Sequence, residues 1–184
     1  RKVAWRLKAH TILRAEVNPD EVERLQAMPS LITSCANRDM PSLYMLPPVP
    51  YPDGKTYVKL GPSFREDEFA HPEHFLESRA ELVEWFQSDG RGDIADWLKD
   101  AMHTLIPNLQ VESYQQTPCL ITLTEHGQPY IDAVVPDKIY ITAGGCGASA
   151  KSSDEIGRMG ALLAATDDWH SPLARDAFRA IYVD

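Results

Sequence analysis

Lys151, Cys119 and Lys59 are the residues whose types and surroundings invite chemistry. Lys151 stands just past a glycine-rich turn (Gly144, Gly145, Gly147) and just ahead of Ser152, Ser153, Asp154 and Glu155, which suit a helix start. A cation at a helix start opposes the dipole, so its position points to an anion held at the turn. Cys119 follows Thr117-Pro118 and opens the run Cys-Leu-Ile-Thr-Leu-Thr. A lone cysteine there reads either as a small buried hydrophobe or as a thiolate nucleophile. Lys59 lies between Val58 and Leu60 and shares a face with Tyr57 by alternation, as a solvated lysine or as a cation serving a site. His71 and His74 could ligate a metal, but Pro72 separates them and no further ligand cluster follows, so no metal site is expected.

The elements that must position these residues can be read in order. Ala9–Val17, Leu31–Cys35, Ser42–Leu46 and Lys55–Leu60 read as strands, and MLPPVPYPDG between the last two carries four prolines and then Asp53-Gly54, a strong turn signal. Glu21–Gln26 is no more than a helical turn or loop, and the acidic Arg65–His74 is a surface loop. Ser78–Gln87 and Asp93–Leu105 carry the apolar spacing of helices. Leu109–Tyr114, Cys119–Thr124 and Pro129–Val134 read as strands, with a hairpin turn over Glu125–Gln128. Ile139–Thr142 is a further strand running into the glycine turn. A helix with Ile156, Met159, Leu162 and Leu163 on its apolar face follows, and Pro172–Ile181 reads as a short terminal helix. The order predicts an α+β fold with a mostly antiparallel sheet, two helices and a terminal strand–turn–helix. The expected division is 1–118 and 119–184.

Two motifs compete for the glycine turn. Gly145-Cys146-Gly147-Ala148-Ser149-Ala150 satisfies G-x-G-x-x-A, with Asp167 and Asp168 about twenty residues on. That fingerprint needs a second parallel strand, and TDDWHSPLARDAFRAIYVD is too short and too helical in pattern to supply it. The same residues approximate a phosphate loop, but Ala150 stands where the glycine before the lysine is required. An ordinary tight turn is the third reading.

Composition narrows the partners. A net charge of −9 argues against nucleic acid and anionic membrane surfaces, both of which need a basic face. No apolar run approaches the roughly 18–20 residues needed to span a bilayer. Three scattered cysteines suit a reducing, cytoplasmic compartment better than a disulfide framework.

Taken together, CLITLTEHGQPYID (Cys119–Asp132), KIYITAGGCGASAKSSDEIGRMGALL and TYVKLG (Thr56–Gly61) resemble the C-terminal part of the FAD-dependent amino-acid and amine oxidases. Within the D-amino-acid oxidase superfamily, the likeness is to the branch of monomeric sarcosine oxidase and N-methyltryptophan oxidase. Cys119, Thr122, Thr124 and Asp132 keep the spacing of that branch, and Ala143, Gly144, Gly147, Lys151 and Gly157 fit its later part. The lysine sits further past the last turn glycine than in the family pattern. The resemblance implies an oxidoreductase that oxidises the C–N bond of an amino acid or N-methyl amine and passes electrons to dioxygen, giving peroxide. It implies FAD as cofactor, with Cys119 in the position of the cysteine bonded to the flavin. Lys59 falls at the lysine that assists dioxygen and Lys151 at the lysine that holds the substrate carboxylate. Gly145, Gly147, Ala148 and Ser149 fall at the turn facing the flavin, where a helix N-terminus stabilises the anionic reduced ring.

Ile121 and Ala148 depart from the family's bulkier residues on the substrate side, which implies a substrate other than sarcosine. No strand–G-x-G-x-x-G–helix segment is present. The expectation is therefore a C-terminal half, inactive alone, that works with an N-terminal FAD-binding half in the same protein or on a separate chain. The alternative is a non-catalytic binding or structural subunit that keeps the fold without flavin.

Overall fold

A computed structural model describes residues 2–33, 36–37, 40–63 and 74–183. Cys35, His71 and most of the acidic Arg65–His74 stretch lie outside them. The fold is α+β, with open antiparallel sheets and helices. Its strands are β1 (Lys2–Val3), β2 (Trp5–Glu16), β3 (Leu31–Ile32), β4 (Ala36–Asn37), β5 (Met40–Pro41), β6 (Leu43–Pro50), β7 (Thr56–Pro62), β8 (His74–Leu76), β9 (Ser113–Thr124), β10 (Tyr130–Val135), β11 (Ile139–Ala143) and β12 (Tyr182–Val183). The helices are α1 (Pro19–Arg24), α2 (Arg79–Gln87), α3 (Gly92–Leu105) and α4 (Ser153–Thr166), with 3-10 turns at Ser149–Ser152 and Arg175–Phe178. No helix is long and apolar enough to cross a membrane.

The chain forms two compact units. One comprises Arg1–Lys8, Phe75–Glu77 and Leu120–Asp184, and the other Ala9–His74 and Ser78–Cys119. The boundary thus falls inside β2 and, between Cys119 and Leu120, inside β9.

In the second unit β3, β6, β7 and β2 lie in that order, and β9 pairs with β2. The antiparallel register sets Leu13 opposite Leu60 and Ala15 opposite Val58, while Met45 faces Leu60 across β6 and β7. Alternation sends these residues, with Leu43, to one face, where they are buried against Ile94, Ala95, Leu98, Ala101 and Met102 of α3. Gly92–Leu105 is helical because these apolar residues recur at the spacing of one stripe. The other face carries Arg14, Glu16, Tyr57 and Lys59. Local chemistry sets the smaller helices. The Asn18 side chain accepts the Glu21 N–H at 2.9 Å and Pro19 opens α1. Ser78 accepts the Glu81 N–H at 3.2 Å at the start of α2.

Two strands run further than expected through proline. The strand expected to end at Leu46 continues as β6 to Pro50, with a register shift between Leu46 and Val49. Pro47 and Pro48 sit in that irregularity, where a missing N–H costs no ladder bond. The turn comes at Asp53-Gly54, as expected, where Gly54, at φ +80°, donates its N–H to the Tyr51 carbonyl. Likewise Ser113–Thr124 is one strand through Pro118, not two separated ones.

In the first unit β10 and β11 form an antiparallel hairpin, with Ile131 opposite Thr142 and Ala133 opposite Tyr140. Helix α4 lies on it through Met159 and Leu163, which bury with Ile131 and Phe178. The approach is close at Gly160, where a Cβ would collide with Thr142 Oγ1. Buried Tyr130 donates its hydroxyl proton to the Ala4 carbonyl at 2.7 Å, and β1 pairs with β12. The expected terminal helix over Pro172–Ile181 is not formed. Only the 3-10 turn Arg175–Phe178 appears, and the next residues go to other partners. Ala180 donates its N–H to Asp132 Oδ2 at 3.1 Å, and the Ile181 carbonyl accepts the Ala4 N–H at 2.8 Å. So short a segment cannot repay the cost of helix nucleation against such contacts.

Candidate functional site

The glycine turn of the first unit is built by backbone conformations that few residues adopt. Gly144 (φ +80°), Cys146 (φ +50°) and Gly147 (φ +72°) all lie in the left-handed region. At Gly144 a side chain would run into the Thr124 methyl, so glycine is required on space as well as conformation. Cys146 is the strained member, and its anchors are specific. Its N–H donates to the Thr122 carbonyl at 3.1 Å, and its thiol donates to the Gly144 carbonyl at 3.2 Å. Thr124 N–H points at the Cys146 sulfur from 3.5 Å. The Gly145 carbonyl accepts the Ala148 and Ser149 N–H groups at 3.0 and 3.1 Å and the Ser149 hydroxyl at 2.8 Å.

Gly147, Ala148 and Lys151 are exposed, while Gly145 and Ser149 are half-buried. Lys151 lies in the 3-10 turn ahead of α4, not in its first α-turn, and its amine meets no partner among the described residues. Ser152 occupies the N-cap position without a side-chain bond, and Ser153 instead donates to the Ala150 carbonyl at 3.0 Å. The turn therefore offers solvent-facing backbone, a helix start and an unpaired cation, a set suited to negative charge. The dinucleotide fingerprint falls away. The pairing partner of β11 is the antiparallel β10, and after α4 the described chain makes only a 3-10 turn and β12, antiparallel to β1.

Lys59 and Cys119 belong to the second unit, on the sheet face opposite α3. Lys59 stands directly across from Arg14 of β2 and from Leu46 of β6. Arg14 Nη2 donates to Thr117 Oγ1 at 3.3 Å, which sets the side of β9 that faces this way. Cys119 is two residues on, so it shares that side. The thiol is free and half-buried, and its carbonyl accepts Trp85 Nε1–H at 2.9 Å. Tyr44 lies with them. Its ring covers Gly61, where a Cβ would strike it, and Lys59 Nζ is 5.8 Å from the ring centroid. Burial, then the neighbouring Cys119 and Tyr51, push the Tyr44 hydroxyl up to about 12, so it stays protonated as a donor.

The two carboxylates of this face are already engaged. Glu16 Oε2 accepts Lys55 Nζ at 2.7 Å and Ser113 Oγ at 2.6 Å, and these bonds hold its pKa below the usual carboxylate value. Asp53 accepts the Lys55 N–H at 3.0 Å and the Tyr57 hydroxyl at 2.9 Å, which lower its pKa in the same way. Gln115 donates to the Tyr57 oxygen at 2.8 Å.

The structure thus sets Lys59 and Cys119 on one face of one unit, and Gly145, Gly147, Ala148, Ser149 and Lys151 in one turn of the other. Tyr44, Arg14 and Trp85 were missed in the sequence. Tyr44 could have been found from Gly61, since a glycine inside a strand signals a close neighbour. Asp132 proves to be a tie for the terminal segment. It accepts the Ala180 N–H and lies 3.7 Å from Arg175 Nη2. Among the described residues no group of three His, Cys, Asp or Glu gathers as a metal would need. No protein-family model matches the chain, and the curated proteins contain no match to it.

Proposed function

We propose that this chain is the C-terminal portion of an FAD-dependent oxidoreductase acting on the C–N bond of an amino acid or N-methyl amine, with dioxygen as acceptor and peroxide as product. The observation that carries the reading is the sheet face of the second unit, where Lys59, Tyr44 and the free Cys119 thiol gather with a backbone held by Trp85. On that face a half-buried thiol could bond a flavin ring and a cation could stand by it, and the role of the glycine turn of the other unit rests on the resemblance. FAD would supply the electron-pair acceptor for a hydride leaving the carbon next to nitrogen.

The chain's own residues would do the rest. Cys119 would hold the ring by a thioether, and Trp85 keeps its backbone in place. Lys59 would stabilise negative charge developing on dioxygen. Gly145, Gly147, Ala148 and Ser149 would present the turn's backbone to the ring's electron-rich end, and Lys151 would hold the substrate carboxylate. The outer edge of β11 pairs with no strand among the described residues. That supports an N-terminal FAD-binding half as the missing neighbour, from the same protein or another chain. Free thiols at Cys119 and Cys146 suit a cytoplasmic setting.

The test is to produce the chain together with a segment carrying strand–G-x-G-x-x-G–helix. Mass spectrometry then reads whether flavin survives acid precipitation. The expected result is a mass increase of one FAD that Cys119→Ser abolishes. A colourless complex with a free Cys119 thiol removes the covalent bond. Absence of any flavin binding leaves the non-catalytic subunit as the better reading.

A further inference from the structure

The sequence holds two Asp-Gly pairs, Asp53-Gly54 and Asp89-Gly90, and both aspartates are exposed. An aspartate followed by glycine can react with its own main chain, because glycine has no side chain to keep its nitrogen from the carboxyl carbon. The structure treats the two pairs differently. Asp53 has both carboxylate oxygens tied, Oδ1 to the Lys55 N–H at 3.0 Å and Oδ2 to the Tyr57 hydroxyl at 2.9 Å. Those bonds hold its pKa below the usual carboxylate value, which depletes the neutral acid that a nitrogen can attack. The Gly54 N–H is committed to the Tyr51 main-chain carbonyl at 3.0 Å. Asp89 stands in the loop between α2 and α3, and its carboxylate meets no partner among the described residues. The Gly90 N–H donates to the Ser88 hydroxyl at 3.0 Å, a side-chain bond that one rotation opens.

We propose that Asp89-Gly90 is a site of isoaspartate formation in the folded chain, and that the fold shields Asp53-Gly54 from the same reaction. The Gly90 nitrogen attacks Asp89 Cγ. An N–Cγ bond forms, and a carboxyl oxygen leaves with its own proton and the amide proton as water, giving a five-membered succinimide. Water then adds to the Asp89 main-chain carbonyl carbon and breaks its bond to the Gly90 nitrogen. The chain now runs through Cβ and Cγ, one carbon longer, and the former main-chain carbonyl is a free carboxylate. One water is lost and one gained, and nothing is oxidised or reduced. The extra carbon lands between two anchors. Ser88 Oγ donates to the Trp85 carbonyl at 2.7 Å, and the Arg91 N–H donates to buried Thr11 Oγ1 at 2.8 Å. The modification therefore loosens the start of α3 from β2. It involves no flavin and stands apart from the oxidoreductase reading.

The experiment ages the purified chain for weeks at body temperature and mildly acidic pH, folded in buffer or unfolded in guanidinium. Peptide mapping with Asp-N protease, which does not cut at isoaspartate, and electron-transfer fragmentation read the product at each pair. In the unfolded chain the two pairs should react at similar rates. In the folded chain Asp89 should keep most of that rate, while Asp53 falls at least about fivefold below it, the least that opening two further hydrogen bonds costs. Amides in the first turn of α3 should exchange faster in the aged folded chain, and Asp89→Glu should remove both the isoaspartate and that change. A folded-state rate at Asp89 no faster than at Asp53 overturns the proposal.

Discussion

Gly160 and Gly157 sit one turn apart on α4, and alanine should stabilise at Gly157 but not at Gly160. A Cβ at Gly157 has nothing within 4 Å, so Gly157→Ala should gain the helix preference of alanine over glycine, about 1 kcal/mol. At Gly160 the same methyl would collide with Thr142 Oγ1 and lie 3.3 and 3.4 Å from Thr142 Cβ and Cγ2. Turning the threonine's hydrogen toward the helix removes the branch but leaves Thr142 Cβ at 3.3 Å, so the threonine must leave its rotamer and the neighbours must still give by a few tenths of an ångström. Overpacking of this kind costs about 1–3 kcal/mol. Set against the same propensity gain, Gly160→Ala should be neutral to about 2 kcal/mol destabilising, leaving the two variants about 1–3 kcal/mol apart. Hydrogen exchange of the α4 amides measures this locally, and the gap corresponds to roughly five- to 150-fold in opening. Thr142→Ala in the Gly160→Ala background should recover most of the loss. Equal stabilisation by both alanines would refute the close helix–strand contact, and with it the seat of the glycine turn.

Tyr130→Phe should cost about 1–3 kcal/mol, since it strands the buried Ala4 carbonyl, and thermal denaturation should show a drop of about 2–4 °C per kcal/mol. An unchanged melting temperature would mean that water replaces the bond. Tyr44 should give a late ionisation step, near 12, in an ultraviolet titration, and Tyr44→Phe should delete that step. Its folded pKa lies above the unfolded value of about 10, so its contribution to stability is complete below pH 10. Between about pH 10 and 12 the unfolded chain gives up a proton that the folded chain keeps, and the contribution is lost. A late step that persists in Tyr44→Phe would assign the buried phenol elsewhere.

The run from Ile139 to Thr166 was readable because everything in it is local. An apolar β-branched segment makes the strand, glycines supply the positive-φ turn, and apolar spacing makes α4. The α3 stripe was readable for the same reason. Proline was misread because its effect depends on whether its nitrogen would have had a ladder partner, which only the pairing of β6 and of β9 reveals. The terminal helix was misread because Asp132 and Ala4, far away in sequence, outbid local helix formation for the same backbone groups. Residue types were enough to single out Lys59, Cys119 and Lys151. Which residues stand beside them was not encoded locally. The register that sets Arg14 against Lys59 and Tyr44 against Gly61 comes from burying Leu13, Met45, Val58 and Leu60 together, a choice made by the core as a whole.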